Sequence, residues 1–519
     1  MYNNGNSRHS CRGINSSWIW KPPIRNIVWD YNDCERGHEF YMTKDSKKKV
    51  LLVTSSFEDL PLVDGKMSEE FANETYYPLG LAYIHSYLES KNIEVKTLWL
   101  NHKPYKDCFK EVIDKIKEFS PDIVGFQMLT CNRVSSYYLI EWIHKNYPEI
   151  KIIVGGIHAT IMYKQLIEKY PFLITVLGDG EVTLFELIKE LNKRVLNLKK
   201  IDGIAFYKNK KVIRTKPRKL IEDLDIFPFP KHEVFFKNSK RWTGSLLSAR
   251  GCPYACSFCC LNPESKRIVR FRDPKKVVDE IEYMIRKFPK MKELSINDDS
   301  FFVNNQRVID ICNEIIKRGI KMDFVCSGRI KPLSKEVVKK LEEANFIRVT
   351  LGIESGDNSI LKSCHKGINQ EDILNAFKLF SKSKIHLKTY LIVGLPGENL
   401  NTINETARFI KKLQKIKYVS YPTSFNILFV YPGTEVYEIA KSKRFINDEF
   451  WLSDKEIPLY TAEHSYKELK RFEGILADNL SFYRIITIKG FKAQFETFPY
   501  LLKYGFERIR VFLKKRRLF

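Results

Sequence analysis

Two blocks of alternating strand and helix patterns constrain the fold of this chain more than any other feature. In the first block, apolar runs such as 50–54, 122–126 and 152–156 predict buried strands, and amphipathic runs such as 79–88 predict helices between them. Strand and helix alternate five times before residue 195. This alternation predicts a doubly wound, Rossmann-like parallel α/β sheet.

The second block begins at Ser245 and repeats the strand–helix unit six times up to residue 429. Six units are too few for a closed eight-stranded barrel, so they predict a partial (β/α)6 barrel of the TIM type. Beyond residue 445 the pattern is mostly helical. The expected organisation is an irregular arm over 1–47, a Rossmann-like domain over 48–195, a linker over 196–240, the partial barrel over 241–445 and a helical region over 446–519.

Bulk composition places the chain among soluble globular proteins. It has 519 residues, of which 44% are hydrophobic and 29% charged, and no uncharged apolar run is long enough to span a bilayer. The polar stretch Met1–Arg12 lacks the apolar segment of a signal peptide. Eleven cysteines, three of them clustered, suit a reducing compartment and a metal site. We therefore expect a cytoplasmic protein.

The formal net charge of +25 has two interpretations. One is an anionic partner, such as nucleic acid, an acidic membrane surface or a phosphorylated substrate. The other is a lysine-rich composition spread over solvated helix faces, which the dispersed lysines favour. A nucleic-acid partner is therefore not expected.

The exception to the dispersal is the C-terminal tail over 489–519, which interleaves basic and aromatic residues. Such a tail is typical of a helix lying on an anionic bilayer, and a basic helix packed on the barrel is the alternative.

Three cysteines stand at C-x3-C-x2-C spacing directly after Arg250 and Gly251. They are Cys252, Cys256 and Cys259. A compact loop with this spacing can direct three thiolates at one iron–sulfur cluster and leave one iron of four without a protein ligand. An open iron binds and reduces a small molecule, so the motif favours chemistry over structure. A zinc site or a purely structural cluster is the alternative.

Polar and glycine-rich segments follow each predicted strand of the second block, where ligands of parallel α/β folds collect. The first of these segments is the cysteine loop, residues 252–259. The others are 297–299, 327–329, 352–356, 394–398 and 431–434. Packing alone could explain any one of these segments. It does not explain why all of them follow strands at the same rim of the sheet. Asp298, Asp299 and Tyr431 are candidate substrate contacts, with helix capping or turn closure as the alternative for each.

Residues 244–435 resemble the core of the radical S-adenosylmethionine (SAM) superfamily. The resemblance implies that Cys252, Cys256 and Cys259 hold a [4Fe–4S] cluster, that SAM chelates its open iron, and that one electron cleaves SAM to a 5′-deoxyadenosyl radical. A reductant such as flavodoxin or ferredoxin would supply that electron. The residues that match the SAM-contacting segments of the family are Phe258, Arg329, Gly352, Glu354, Ser355, Gly394 and Pro396.

The first block lacks G-x-G-x-x-G after its first strand, which disfavours a dinucleotide. Its strand ends resemble the cobalamin-binding domain that precedes many radical SAM enzymes, and the resemblance implies cobalamin as a further cofactor. The matching residues are Ser55, Thr130, Gly155, Gly156, His158, Gly178 and Glu181. No D-x-H-x-x-G is present, so the histidine that binds the lower cobalt face in one group of cobalamin proteins is missing, and His158 stands at the wrong spacing to replace it.

The pair of resemblances implies a cobalamin-dependent methylation of an unactivated carbon in a small-molecule, natural-product or lipid substrate. Three alternatives stay open. The first is a radical SAM cyclisation, rearrangement or carbon–carbon coupling on the same scaffold. The second is a tRNA methylthiotransferase, which the scattered upstream Cys11, Cys34, Cys108 and Cys131 disfavour. The third is a non-catalytic cluster protein or sensor. A lipid substrate would suit the basic tail and a peripheral position at the inner face of the membrane.

Overall fold

A computed structural model describes residues 48–57, 78–236, 243–260, 267–417, 419–420 and 426–486. The expected N-terminal arm over 1–47 and the basic tail over 489–519 lie outside the described residues. Within the described part of the chain, every helix is too short or too polar to cross a bilayer.

The first sheet has seven strands in the order β2-β1-β3-β4-β5-β6-β7. Its strands are β1 (Lys49–Thr54), β2 (Glu94–Trp99), β3 (Ile123–Gln127), β4 (Lys151–Gly155), β5 (Ile174–Val176), β6 (Ile204–Lys208) and β7 (Lys211–Arg214). The pairs among β1 to β5 are parallel. Their carboxyl ends therefore meet at one edge, where the predicted cofactor residues fall.

Helices cover this sheet as its alternation predicts. They are α1 (Leu79–Ser90), α2 (Tyr105–Phe119), α3 (Arg133–Asn146), α4 (Ile157–Ile161), α5 (Tyr163–Lys169) and α6 (Glu181–Leu191). A buried apolar face of α2, which includes Val112 and Ile116, shows why these segments are helical against a sheet.

The segment 196–240, expected to be a linker, adds two strands to the first sheet. β6 pairs antiparallel with β5, and β7 pairs antiparallel with β6. The turn residues Asn209 and Lys210 both have positive φ, which closes a two-residue hairpin. Only the remainder of the segment, including α7 (Glu233–Phe236), connects the two blocks.

The second block forms a parallel sheet with β8 at one edge and β15 at the other. Its strands are β8 (Thr243–Leu246), β11 (Glu293–Ile296), β12 (Asp323–Gly328), β13 (Phe346–Glu354), β14 (His386–Val393), β15 (Val419–Ser420) and β16 (Asn426–Ile427). Both β15 and β16 pair with β14. A separate antiparallel ribbon joins β9 (Ala249–Arg250) to β10 (Arg270–Phe271), on either side of the cysteine loop.

Helices connect these strands and continue beyond them. They are α8 (Pro274–Lys287), α9 (Asn305–Lys317), α10 (Lys335–Glu343), α11 (Asn358–Ser363), α12 (Gln370–Phe380), α13 (Leu400–Ile416), α14 (Glu435–Ser442) and α15 (Tyr466–Ile486). Local sequence sets where several begin: Asn369 and Asn399 cap α12 and α13 in capping boxes.

One hydrophobic cluster runs through both blocks. It joins Val124 and Val154 of the first sheet to Leu395 and Val430 of the second block and to Trp451. Trp451 is completely buried and lies in the 3-10 helix Asp448–Leu452. The predicted fold class is confirmed: a doubly wound first sheet, a second parallel α/β sheet and a helical C-terminal region. The shared core fixes the two sheets against each other.

Gly156 allows a close approach of two strand ends. Its φ is +93°, and a Cβ there would lie 2.8 Å from the carbonyl oxygen of Met128. Gly319 has a comparable φ of +62° with nothing within 4 Å of its Cβ position. We expect Gly319→Ala to cost about 1 kcal/mol, from backbone strain alone. Gly156→Ala should cost about 1–3 kcal/mol more, because its ψ of 175° completes a conformation that essentially only glycine adopts and because backbone must also move.

The thermal unfolding midpoint of each variant measures this difference. Gly319→Ala serves as the matched control, since both changes place a side chain at positive φ. Equal losses in the two variants would contradict the steric account of Gly156.

Candidate functional site

The cysteine loop leaves the ribbon strand β9 through Gly251. Gly251 has a φ of +97°, and a Cβ there would lie 2.2 Å from the carbonyl oxygen of Ile268, so only glycine fits. At the far end, the backbone N–H of Ser257 donates to the carbonyl of Cys364, and Val436 N–H donates to the carbonyl of Ser257. The loop is therefore held at both ends by backbone from other elements.

The three motif cysteines are accessible thiols on this loop. Cys252 and Cys256 are half-buried, and Cys259 is exposed. Burial raises the pKa of Cys259 to about 12, and the nearby thiols of Cys260, Cys256 and Cys252 add to the rise. Cysteine binds metal as the thiolate, so cluster binding by this loop would release protons.

The donor set of this loop fits an iron–sulfur cluster. Among the described residues, no three His, Cys, Asp or Glu side chains form a group that could hold a metal ion. Three cysteines at C-x3-C-x2-C spacing are nevertheless the ligand types that a cluster with one open iron needs.

Asp298, a candidate substrate contact, instead holds the strand that leads into the loop. It is buried, and its Oδ1 accepts hydrogen bonds from the backbone N–H of Ser248 at 2.7 Å and of Ala249 at 3.0 Å. Its Oδ2 accepts from the Ser248 hydroxyl at 2.6 Å and from Arg307 at 3.2 Å. Four donors occupy the carboxylate, which favours a structural role over substrate binding.

Asp299, its neighbour, is also engaged with the loop. Its Oδ2 accepts a hydrogen bond of 2.8 Å from the backbone N–H of Gly251. Unlike Asp298, Asp299 is exposed to solvent, and this hydrogen bond engages only its Oδ2. Asp299 therefore keeps the capacity to bind a ligand beside the loop.

Arg329 reaches the cysteine loop from the end of β12. Its guanidinium donates to Cys256 Sγ at 3.1 Å and stacks on the Tyr254 ring at 3.7 Å from the centroid. The side chain is buried. A cation fixed beside a cluster ligand suits the predicted contact with the SAM carboxylate.

Glu354 and Lys366 form a buried ion pair near the loop. Lys366 Nζ donates to Glu354 Oε1 at 2.7 Å, and the two side chains are only 5% and 9% exposed. Glu354 has a φ of +63° at an irregularity between β13 and β14, a strained conformation that functional sites often retain. Lys366 also lies 5.9 Å from the centre of the Phe258 ring.

Gly352 makes room for this pair, because a Cβ there would lie 2.4 Å from Glu354 Oε1 and 3.0 Å from Lys366 Nζ. The Glu354 carboxylate, the Lys366 amine and the Phe258 ring thus meet on one side of the cysteine loop. They offer a charged pair and an aromatic surface, which suit the amino acid and adenine parts of SAM.

The other predicted SAM residues have structural partners. Ser355 is fully buried, and its hydroxyl contacts Thr406 Oγ1 at 3.2 Å. Gly394 has a φ of +90°, and its N–H donates to Glu398 Oε2 at 2.6 Å. The carbonyl of Pro396 accepts from Ser363 at 3.5 Å. The contacts of Gly394 and Pro396 shape the turn after β14, and that of Ser355 holds the segment after β13.

A cavity of about 160 Å³ opens at the carboxyl ends of the first sheet. Gly155, Gly156, Gly178 and Glu181, four of the residues predicted to bind cobalamin, line it. The glycines keep it open: a Cβ on the nearby Gly180 would lie 2.8 Å from Ile84. The glycine backbone and the apolar walls of this cavity suit one face of a flat group such as part of cobalamin.

Arg250 of the ribbon also lines this cavity. Its guanidinium donates to Glu181 Oε1 at 2.7 Å, so this hydrogen bond joins the second block to the first. Glu181 is buried. The cavity of the first sheet therefore lies next to the start of the cysteine loop.

The remaining cobalamin candidates lie away from the cavity lining. Ser55 is buried and contacts the Ser136 hydroxyl at 2.7 Å. His158 is fully buried, with Thr130 Oγ1 at 3.1 Å from Nδ1 and the Tyr137 hydroxyl at 3.4 Å from Nε2.

Burial, with help from the Arg133 cation, lowers the pKa of His158 to about 3. The ring is therefore neutral at physiological pH. Because both ring nitrogens already have partners, His158 is not poised to bind cobalt, as its sequence spacing indicated.

Tyr431, the third candidate substrate contact, lies between the two blocks. Burial raises the pKa of its hydroxyl, and the thiols of Cys131 and Cys260 contribute to the rise. Cys131 belongs to the turn that ends β3, whereas Cys260 follows the last cysteine of the motif. Tyr431 is therefore near a thiol from each block of the chain.

Residues 246–410 match the radical SAM superfamily, and residues 72–188 match the B12 binding domain. An uncharacterized methyltransferase of Pyrococcus horikoshii is 30% identical over 401 residues, covering 76% of this chain and 84% of the relative. The anaerobic magnesium-protoporphyrin IX monomethyl ester cyclase of Cereibacter sphaeroides is 28% identical, and the match covers 64% of this chain but 55% of that protein.

Solved structures share the fold. The cobalamin-dependent SAM radical enzyme OxsB, with aqua-cobalamin and SAM bound, aligns with a TM-score of 0.62 at 21% identity, covering 77% of this chain and 62% of OxsB. The radical SAM methyltransferase TsrM from Kitasatospora setae aligns with a TM-score of 0.61 at 20% identity, covering 76% of each chain.

These matches define a radical SAM enzyme with a cobalamin-binding domain. The chain belongs to the cobalamin-binding radical SAM family that includes the methyltransferase of Pyrococcus horikoshii. The cofactors of this class are a [4Fe–4S] cluster, SAM and cobalamin.

Sequence reasoning missed Lys366 and Arg250. Lys366 stands in a turn twelve residues after Glu354, and no spacing rule links the two. Arg250 was visible as the residue before Gly251-Cys252, but its partner Glu181 is 69 residues upstream. Co-variation between such positions is the signal that would have found both pairs.

Glu398 gives a pH-dependent test of the turn after β14. Burial raises its pKa to about 8 from an ordinary value of 4.5. The folded state therefore holds this proton more tightly than the unfolded state. The stability from that proton is complete below about pH 4.5 and is lost as the pH rises through about 8. We expect Glu398→Gln, which stays neutral, to remove this loss.

The unfolding midpoint at about pH 5 and about pH 8 is the measurement. The wild-type midpoint should fall more between these values than that of the variant. Glu468→Gln, a change of the same kind on an exposed helix start, should keep the wild-type fall. Equal slopes in wild type and Glu398→Gln would contradict the buried neutral carboxyl.

Proposed function

We propose that this enzyme methylates an unactivated carbon of a small-molecule, natural-product or lipid substrate, using cobalamin and SAM. The observation that carries the proposal is the adjacency of two candidate cofactor sites: Arg250, which lines the cavity of the first sheet, is two residues from Cys252. A reaction that uses both cofactors on one substrate needs this adjacency. The P. horikoshii methyltransferase, similar over most of both chains, supports the same activity.

In this proposal Cys252, Cys256 and Cys259 hold the cluster. When bound, the cluster supplies the electron that splits SAM into methionine and a 5′-deoxyadenosyl radical, and cobalamin supplies the transferable methyl group. A one-electron donor such as flavodoxin or ferredoxin restores the cluster. The protein's own task is positioning, since a bound substrate must meet both cofactors in a cavity that excludes water.

The ion pair Glu354–Lys366 and the Arg329 guanidinium provide the charges that SAM requires. A zwitterionic amino acid group needs one anionic and one cationic partner. Glu354 suits the ammonium group, and Arg329, next to Cys256, suits the carboxylate. Lys366 holds the Glu354 carboxylate in place. The Phe258 ring offers an apolar face beside this pair.

Cobalamin fits the cavity lined by Gly155, Gly156, Gly178 and Glu181. Tyr431 and Asp299 are the side chains best placed to meet a substrate between the cofactors. Tyr431 has thiols from both blocks near its hydroxyl, and Asp299 is exposed beside the cysteine loop. Asp298 drops out of this role because four donors occupy its carboxylate.

A second candidate is a radical reaction without methyl transfer, such as cyclisation. The similarity to the anaerobic magnesium-protoporphyrin IX monomethyl ester cyclases favours it, over about two thirds of this chain. The positions of the two candidate sites suit either reaction, because both need SAM cleavage near cobalamin. The fate of the SAM methyl group separates them.

The deciding experiment needs no substrate. Protein with its cluster reconstituted anaerobically is loaded with hydroxocobalamin, reduced with titanium(III) citrate and given SAM labelled in the methyl group. A methyltransferase moves the label to protein-bound cobalamin and releases S-adenosylhomocysteine. Label that stays on methionine while 5′-deoxyadenosine accumulates would overturn methylation and favour the second candidate. Absence of 5′-deoxyadenosine and of transfer would revive a non-catalytic cluster protein.

The cysteine assignment predicts a sharp difference between neighbouring thiols. Cys256→Ala should lose most of the iron bound after reconstitution and all SAM cleavage, because an alanine offers no ligand. Cys260→Ala is the matched control, since Cys260 lies on the same loop but outside the C-x3-C-x2-C spacing. Iron content and absorbance near 400 nm read out the result. Equal iron loss in both variants would sink the three-cysteine assignment.

A further inference from the structure

Arg250 joins two parts of the molecule that the proposed function assigns to different cofactors. It ends β9, and Gly251 and Cys252 follow it directly. Its side chain turns away from the cysteine loop toward the first sheet. There the guanidinium binds Glu181 Oε1 at 2.7 Å and lies 3.7 Å from Asp179 Oδ2.

The segment that receives Arg250 is the acidic turn, residues 178–181, between β5 and α6. A second arginine binds the same turn: Arg270 Nη1 lies 2.8 Å from Asp179 Oδ2. Arg270 pairs with Arg250 across the ribbon of β9 and β10. The ribbon therefore holds the turn through two side chains from adjacent strands, whereas a single surface ion pair would be weak.

Aromatic rings from two other segments fix the orientation of the Arg250 guanidinium. It lies 4.6 Å from the Tyr83 ring centre and 5.5 Å from that of Phe227. Tyr83 belongs to α1 of the first sheet, and Phe227 to the connection between the blocks. A guanidinium stacked on rings and paired with a carboxylate has one preferred position.

The acidic turn is also part of the cavity wall. Gly178, Asp179, Gly180 and Glu181 all line the cavity together with Arg250. A ligand that fills the cavity therefore presses on the residues that Arg250 binds. On the other side, Gly251 is confined, with Ile268 backbone 2.2 Å from a Cβ position and its N–H bound to Asp299. The position of Arg250 therefore sets the point from which Cys252 and the cysteine loop begin.

From this geometry we propose that Arg250 is a positioning residue that couples the two cofactor sites. Occupation of the cavity by cobalamin fixes the acidic turn, and Arg250 transmits this to the cysteine loop, so that SAM binds more tightly to the open iron. The inference rests on the proposed function, since it needs both cofactors on one chain. By thermodynamic linkage, SAM must strengthen cobalamin binding by the same factor.

The experiment measures the SAM dissociation constant of cluster-reconstituted full-length protein, with and without bound hydroxocobalamin, by anaerobic calorimetry. In wild type, cobalamin should tighten SAM binding at least about fivefold. Arg250→Lys keeps the charge and loses the planar fork, so this ratio should fall to about one while both cofactors still bind. Arg318→Lys, at an ion-paired arginine that caps the C-terminal end of α9, is the matched control and should keep the wild-type ratio.

Tyr83→Leu is the second variant, in case Arg250→Lys does not fold. It removes a ring that orients the Arg250 guanidinium and lies outside the cavity lining, so it should also bring the ratio to about one. A wild-type ratio of one, or a full ratio in either folded variant, overturns the coupling while the proposed function stands. Failure of wild type to retain any cobalamin overturns both. A purely structural clamp would lower the unfolding midpoint of the variants and leave the ratio unchanged.

Discussion

The hydrogen bonds that Asp298 and Asp299 accept from the backbone of residues 248–251 are the constraint on which the site depends. Two carboxylates at the end of β11 fix the path of the chain from β8 into the cysteine loop. A buried carboxylate is expensive unless each oxygen is satisfied, and Asp298 meets that condition with four donors, including Arg307. Because residues 248–251 are held in place, the cysteine loop starts at a fixed position. The same backbone path directs the Arg250 side chain toward the first sheet.

The two sheets behave as one scaffold because their cores are continuous. Val154 of the first sheet and Val430 of the second block belong to the same apolar cluster. A reaction shared between two cofactors requires their separation to be constant, and an interface of this kind, apolar and closely packed, supplies that better than a flexible connection would. Polar contacts then refine the alignment locally, at Arg250 on one side and around Tyr431 on the other.

Sequence alone was enough for the fold class, because strand–helix alternation and the cysteine spacing are local patterns. It also located the glycines that line the cavity, since strand ends of a parallel sheet share one edge. It could not separate Asp298 from Asp299, which are adjacent and identical in kind. Burial and four donors distinguish Asp298 from the exposed Asp299, which accepts one hydrogen bond from Gly251. The hairpin Ile204–Arg214 was mistaken for part of a linker, because two short strands carry little periodicity until a sheet edge is there to receive them.

The burial of Trp451 has a consequence for how the chain is made. Arg133 stacks on this ring and donates to the carbonyl of Lys455, and the Tyr137 hydroxyl donates to the carbonyl of Trp451. Both Arg133 and Tyr137 sit on α3 of the first sheet, more than 300 residues earlier in the chain. During synthesis from the N-terminus, the side chains of α3 that pack on the segment around Trp451 therefore stay uncovered until almost the whole chain has left the ribosome. The packing of the first sheet is therefore completed last, although this part of the chain is translated first.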